Sequence, residues 1–162
     1  MMLTPLSQHL DFKKDEYKIK GCGIACLGMF LGSDVNLDEL FQRGVDTGAY
    51  APGIGWRHAE LAQLGHRFGF LRSQNYDLAA LSDIEARREL EDALGEGPVI
   101  ASVHTRYNPS QSEGHLVVLL SLTNETAEVM DPAAIQREAI RQHISKEQFL
   151  ASWKKRFIVI RS

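Results

Sequence analysis

The chain has 162 residues with 18 Lys and Arg against 21 Asp and Glu, a net charge of -3, and 44% hydrophobic residues. That length suits one domain over residues 1–162, which buries roughly 70% of its unfolded surface and forms a core without staples. Two cysteines exclude a disulfide scaffold and a thiolate-built zinc site, the acidic balance argues against a general nucleic-acid binder, and no apolar run approaches the ~18 residues of a membrane span.

Residues 1–20 read as an irregular arm with no signal peptide, because Pro5, Gln8 and His9 break its apolar residues. The expectation is a cytoplasmic protein with reduced thiols, although export without a cleavable signal stays open. Gly21-Cys22-Gly23 reads as a turn before the apolar run Ile24 to Leu31, a helix apolar on most faces and therefore central, with Gly32 as its stop. A second helix is predicted from Leu37 to about Arg43, capped by Asn36 and ended by Gly44. Trp56 to Phe68 reads as a third, with Leu61, Leu64 and Phe68 on one face. Gly53-Ile54-Gly55 resembles a fragment of a glycine-rich nucleotide loop but follows no strand, so it reads as a plain loop. Ser82 to Glu85 is a capping box opening a helix to Leu94.

From Gly97-Pro98 onward the pattern changes to strands: Val99 to His104, His115 to Leu122, Thr126 to Met130 and Phe157 to Ile160. Residues 105–113 form a polar loop, and Ser145 to Gln148 caps a helix running through Phe149, Leu150 and Trp153. Helices first and mostly antiparallel strands later give an α+β layout, with helices packed on one side of the sheet.

Chemistry gathers first at Cys22. A thiol at a helix N-terminus meets unpaired N–H groups and the positive end of the helix dipole, which favour the thiolate, and flanking glycines leave the sulfur open. The competing reading is a small buried hydrophobe, the usual fate of a free cysteine. Cys26, inside the helix, reads as core; a metal pair or a disulfide with Cys22 lacks supporting ligands nearby.

A nucleophilic thiol needs a base. Of six histidines, His115 opens the apolar strand at the mouth of the polar loop, where a site residue or a solvated strand end are both at home. If that strand turns at Asn124 and returns through Met130, register counting sets His115 opposite residues 131 to 133, so Asp131 falls beside it. A carboxylate there orients the imidazole and favours the imidazolium, whereas Asp131-Pro132 is also a common turn pair. His104 is a rival base without a nearby carboxylate, and His58 and His66 read as surface or partly buried. The Cys22 N–H is one oxyanion donor. Gln8 is a candidate second if the arm folds back, or else a solvated surface residue.

Taken together, Gln8, Gly21-Cys22-Gly23-Ile24-Ala25-Cys26, Gly97-Pro98-Val99-Ile100, Gly114-His115-Leu116-Val117-Val118 and Met130-Asp131-Pro132 resemble the papain-like cysteine peptidases of the bacteriocin-processing peptidase-like family, standalone domains included. No single motif is specific; their order and spacing over nearly the whole chain are. The resemblance implies a papain-like α+β fold with the cysteine on an N-terminal central helix packed against a mostly antiparallel sheet. By position, Cys22 matches the nucleophile, His115 the general base and acid, Asp131 the residue orienting the ring, and Gln8 the oxyanion glutamine. Two departures stand out. Leader-cleaving members usually carry the glutamine six residues before the cysteine, where this chain has Glu16, and Ile24 occupies a position where proline is common. Double-glycine specificity is not carried over.

The expected function is a thiol hydrolase, free of cofactor and metal, that cleaves a peptide or isopeptide bond in a peptide or protein substrate through a thioester. Neither a nucleic acid nor a membrane span is expected, and the oligomeric state is open. Rival readings are an acyl transferase acting on Gln side chains, a catalytically silent peptide-binding module, and a redox switch through Cys22 and Cys26.

Overall fold

A computed structural model describes residues 2–162. In chain order the elements are α1 (Gln8–Asp11), α2 (Asp15–Lys20), α3 (Cys22–Leu31), α4 (Leu37–Asp46), β1 (Tyr50–Ala51), β2 (Gly55–Trp56), α5 (His58–His66), β3 (Gln74–Asp77), α6 (Asp83–Glu96), β4 (Val99–His104), β5 (Gly114–Leu122), β6 (Thr126–Met130), β7 (Arg141–Ser145), α7 (Lys146–Ser152) and β8 (Trp153–Val159). Six strands form one antiparallel sheet in the order β3-β8-β4-β5-β6-β7, while β1 and β2 pair as a separate ribbon.

The central strands explain the layering. Strands β4 and β5 are apolar at successive positions, so both faces of the sheet must be covered. Ile100, Leu116 and Val118 pack with α3, α4 and α5 on one face. Val99, Ala101, Val103, Val117 and Leu119 pack with Ala86 and Leu90 of α6 and Phe149 of α7 on the other. Helices therefore lie on both sides of the sheet, which corrects the one-sided layout expected from the sequence. Helix α3 is buried from Gly23 to Phe30, as a helix apolar all round must be. It ends at Gly32, whose φ of +107° is a conformation glycine adopts freely.

Several local readings shift for identifiable reasons. The N-terminal arm is ordered into two short helices; Ser7 Oγ accepts from the N–H groups of His9 and Leu10 at 3.1 and 3.3 Å, a cap with no hydrophobic period behind it. Trp56 belongs to β2, and Phe68 lies beyond α5 with 38% of its surface exposed. Trp153 begins β8 instead of continuing α7. Strands β3 and β7 are polar edge strands, and a short polar edge has no apolar alternation to announce it.

Gly44 lies inside α4 and does not end it. A Cβ there would sit 2.8 Å from Trp56 Cζ3, so glycine is required by the close approach of the indole. Trp56 is only 8% exposed, and its Nε1 donates to the Lys20 carbonyl at 2.6 Å, which leaves the ring little room to move. Gly44→Ala gains about 1 kcal/mol of helix propensity. Overpacking costs typically 1–3 kcal/mol. Chemical denaturation should show net destabilisation; a stabilised variant would mean that the indole yields.

Candidate active site

Cys22 is the first residue of α3, directly after Gly21, which joins α2 to α3. The sulfur is half-buried on the wall of a cleft of about 540 Å³. His115 and Leu116 at the start of β5 line the same cleft. On the far side of the ring, His115 Nε2 meets Asp131 Oδ1 at 2.8 Å. Nε2 being engaged there, Nδ1 is the ring nitrogen left for the sulfur. Asp131 follows β6 directly; its N–H donates to the Ile140 carbonyl at 2.7 Å, and Oδ1 also accepts from Ala133 N–H at 2.9 Å. The expected pairing of β5 with β6 is present, with Val118 opposite Met130 and a bulge between Leu119 and Ser121.

The electrostatics follow from these contacts. Burial pushes the Cys22 thiol up, but the hydrogen bond and charge of His115, with the N–H groups of Leu116 and Gly23, outweigh it and hold the thiol below its ordinary range. Burial opposes a charged imidazole at His115, yet the hydrogen bonds to Asp131 and Cys22 prevail and push the ring up to about 10. Asp131 is held below the usual carboxylate range: burial acts against this, and His115, Ala133 N–H and Tyr107 act for it. The three groups thus favour a thiolate beside an imidazolium beside a carboxylate. Cys26, fully buried, is the opposite case. Burial, then the charges of Cys22 and Asp131, drive its thiol well up, and its Sγ donates to the Leu116 carbonyl at 3.4 Å.

Gln8 is buried at 5% exposure and does not line the cleft. Its Nε2 donates to the carbonyl of Lys18 at 2.7 Å, with a weaker contact to Ile19 at 3.4 Å, and its Oε1 has no partner. It is therefore fastened against the turn of α2 that leads into Cys22. Its backbone N–H donates to the Pro132 carbonyl at 2.7 Å, tying the arm to the loop after Asp131. Glu16 is exposed on α2. The rival His104 does not line the cleft, and its Nδ1 meets the Gln111 carbonyl at 2.7 Å.

The model of the Peptidase_C39 like family matches residues 3–157. The chain belongs to this family. Solved structures similar to it include a protein from Bacillus anthracis described as a C39-like peptidase, with a TM-score of 0.66, 18% identity and coverage of 99% of this chain and 96% of that one. The peptidase domain of Streptococcus ComA, a bi-functional ABC transporter of a quorum-sensing pathway, gives a TM-score of 0.60 at 17% identity, covering 98% and 96%. A double glycine motif protease from an AMS/PCAT transporter, solved with its leader peptide, gives 0.50 at 22% identity, covering 85% and 81%. No curated protein sequence matches the chain. Among the described residues, no helix is long and apolar enough to cross a membrane.

Within this C39-like chain, two features of the site escape sequence reasoning. Tyr107 is buried, and its Oη donates to Asp131 Oδ2 at 3.0 Å, filling the carboxylate oxygen that His115 leaves free. Arg106 and Tyr107 both take left-handed backbone conformations, with φ of 58° and 53°. Strain of this kind costs on the order of 1–3 kcal/mol per residue and persists where the surroundings impose it. An aromatic in a polar loop carries no periodic signal. The second feature is His58, read from sequence as a surface or partly buried residue. It lines the cleft with Trp56 and the β1–β2 turn residue Ile54.

Proposed function

We propose that the protein is a thiol hydrolase that cleaves a peptide or isopeptide bond with Cys22, His115 and Asp131 as its triad. The observation that carries this reading is the joint placement of Cys22 and His115 on one cleft wall, with Asp131 2.8 Å behind the ring. The leader peptide bound to one structural relative supports a peptide as the substrate class. The double-glycine specificity of that relative is not assigned here.

In this mechanism the Cys22 thiolate attacks the scissile carbonyl carbon and forms the C–S bond. The oxyanion is held by the Cys22 N–H at the start of α3, where backbone donors have no intrahelical partner. Gln8 is the second donor in our assignment. Its Nε2 donates to the Lys18 and Ile19 carbonyls outside the cleft, so this role requires the side chain to release both and turn toward the oxyanion when substrate binds. The C–N bond breaks as imidazolium His115 passes its proton to the leaving amine. Neutral His115 then takes a proton from water, which attacks the thioester, and the sulfur departs as thiolate beside a renewed imidazolium. Asp131 keeps the ring oriented throughout and stays ionised.

The test is incubation with a broad peptide library, with and without a primary amine, read by mass spectrometry. Cleaved backbones in both conditions are the expected result. Mass gains that appear only with amine would assign acyl transfer through the same thioester. Neither product would leave a silent peptide-binding cleft.

A further inference from the structure

Apart from the triad, the cleft has a charge of its own. Lys20, Arg57, Lys154 and Arg156 line it, and Asp77 is its one lining carboxylate. Asp77 is already engaged by Arg156, with Nε and Oδ1 3.4 Å apart. Among the described residues, Lys20, Arg57 and Lys154 have no carboxylate within 4 Å. The chain as a whole is acidic, at -3, so this excess of positive charge is a local arrangement and not a reflection of composition. Lys154 lies close to the chemistry: its Nζ is 3.3 Å from where a Cβ on Gly114 would sit, one residue before His115. His58, on the same wall, registers the field. Burial first and then the Arg156 charge hold its imidazole below the ordinary range; Lys154 adds to this and Asp77 opposes it.

Like charges gathered in a concave wall repel one another, and a bound anion relieves that repulsion while the cleft focuses the field on it. We infer that the substrate of this cleft is an acidic peptide segment, with a carboxylate within a residue or two of the scissile bond received by Lys154, Arg57 and Arg156. The inference rests on the reading of Cys22, which lines the cleft, as the nucleophile. The carboxylate comes from an Asp or Glu side chain or from a C-terminal residue, and the chemistry of recognition is the same.

Iodoacetate and iodoacetamide are close in size and differ in charge, so the ratio of their rates at Cys22 reads the local potential without any substrate. In Lys154→Gln and in Arg57→Gln the iodoacetate-to-iodoacetamide ratio should fall roughly threefold or more in each, as expected for loss of one near charge in a partly shielded site. In the wild-type protein the ratio should also fall as salt rises from about 0.05 to 0.5 M. A ratio indifferent to both substitutions and to salt overturns the inference, while continued labelling by iodoacetamide leaves the nucleophile reading standing. Labelling of Cys22 by neither reagent overturns the nucleophile reading itself. With peptides, replacing Asn by Asp at one position beside the scissile bond should raise kcat/KM about tenfold, the effect of ~1.4 kcal/mol. Lys154→Gln should reduce that gain. Peptides with amidated and free C-termini then separate side-chain from terminal carboxylates. Acidic peptides cut no faster than their amide counterparts would overturn the inference.

Discussion

Cys22→Ala should abolish peptide cleavage, with kcat/KM down by at least about 10⁴-fold, because removing the nucleophile of a triad leaves only binding and oxyanion stabilisation. The loss should be chemical and not structural. Cys22 is half-buried at the first position of α3, and alanine has the highest helix propensity of any residue. Circular dichroism and the denaturation midpoint should therefore stay close to wild type while product formation disappears. Cys26→Ala is the control: this thiol is fully buried and held protonated, so it packs and does not react. In the native wild-type protein, iodoacetamide should alkylate Cys22 first. Retained cleavage in Cys22→Ala would remove the sulfur from the mechanism altogether.

Asp131→Ala should lower kcat by about 10²–10⁴-fold, the usual scale for disabling an acid–base group. Its diagnostic effect is on pH. With Asp131 present, His115 is pushed up to about 10 and Cys22 lies below its ordinary range. Cys22 alkylation should therefore rise at a pH below 9, the ordinary thiol value, and hold as an ion pair until His115 loses its proton near pH 10. Without the carboxylate, burial of His115 is opposed only by Cys22. The ring loses its proton at lower pH, the thiolate loses its counter-ion, and the acidic limb of the profile moves up toward the ordinary thiol range. Alanine also strips the acceptor from Tyr107 Oη and Ala133 N–H, so the variant should lose about 1–3 kcal/mol of stability. Asp131→Asn keeps an acceptor oxygen and should fall between the two in stability.

Tyr107→Phe completes the series. It removes one hydrogen bond to a charged acceptor, worth roughly 1.5–3 kcal/mol. Because Tyr107 positions Asp131 and does not line the cleft, kcat should fall with KM unchanged, and the acidic limb should shift in the same direction as in Asp131→Ala but less. A change in KM alone would assign Tyr107 to substrate binding instead.

The sequence by itself carried the local devices. Asn36, Ser82 and Ser145 each accept a hydrogen bond from the N–H three residues on, as such caps must, because the partner is close along the chain. The apolar saturation of Ile24 to Phe30 demanded a buried helix, and hairpin register alone brought residue 131 toward His115. Tertiary structure decided what depends on partners distant in the chain. Gly44 looked like a helix end because the indole that crowds it comes from the β1–β2 ribbon. The arm looked irregular because its anchors, the carbonyls of Pro132 and Ala134, lie more than 120 residues away. Tyr107 looked like loop because only a folded sheet carries its hydroxyl to Asp131. The cationic wall draws on α2, the residue that precedes α5, and β8 together, so no window of sequence holds it. Short-range hydrogen bonds and periodic burial are written in neighbouring residues, whereas close approach, buried polar pairing and the field of a cleft exist only once distant segments are packed against one another.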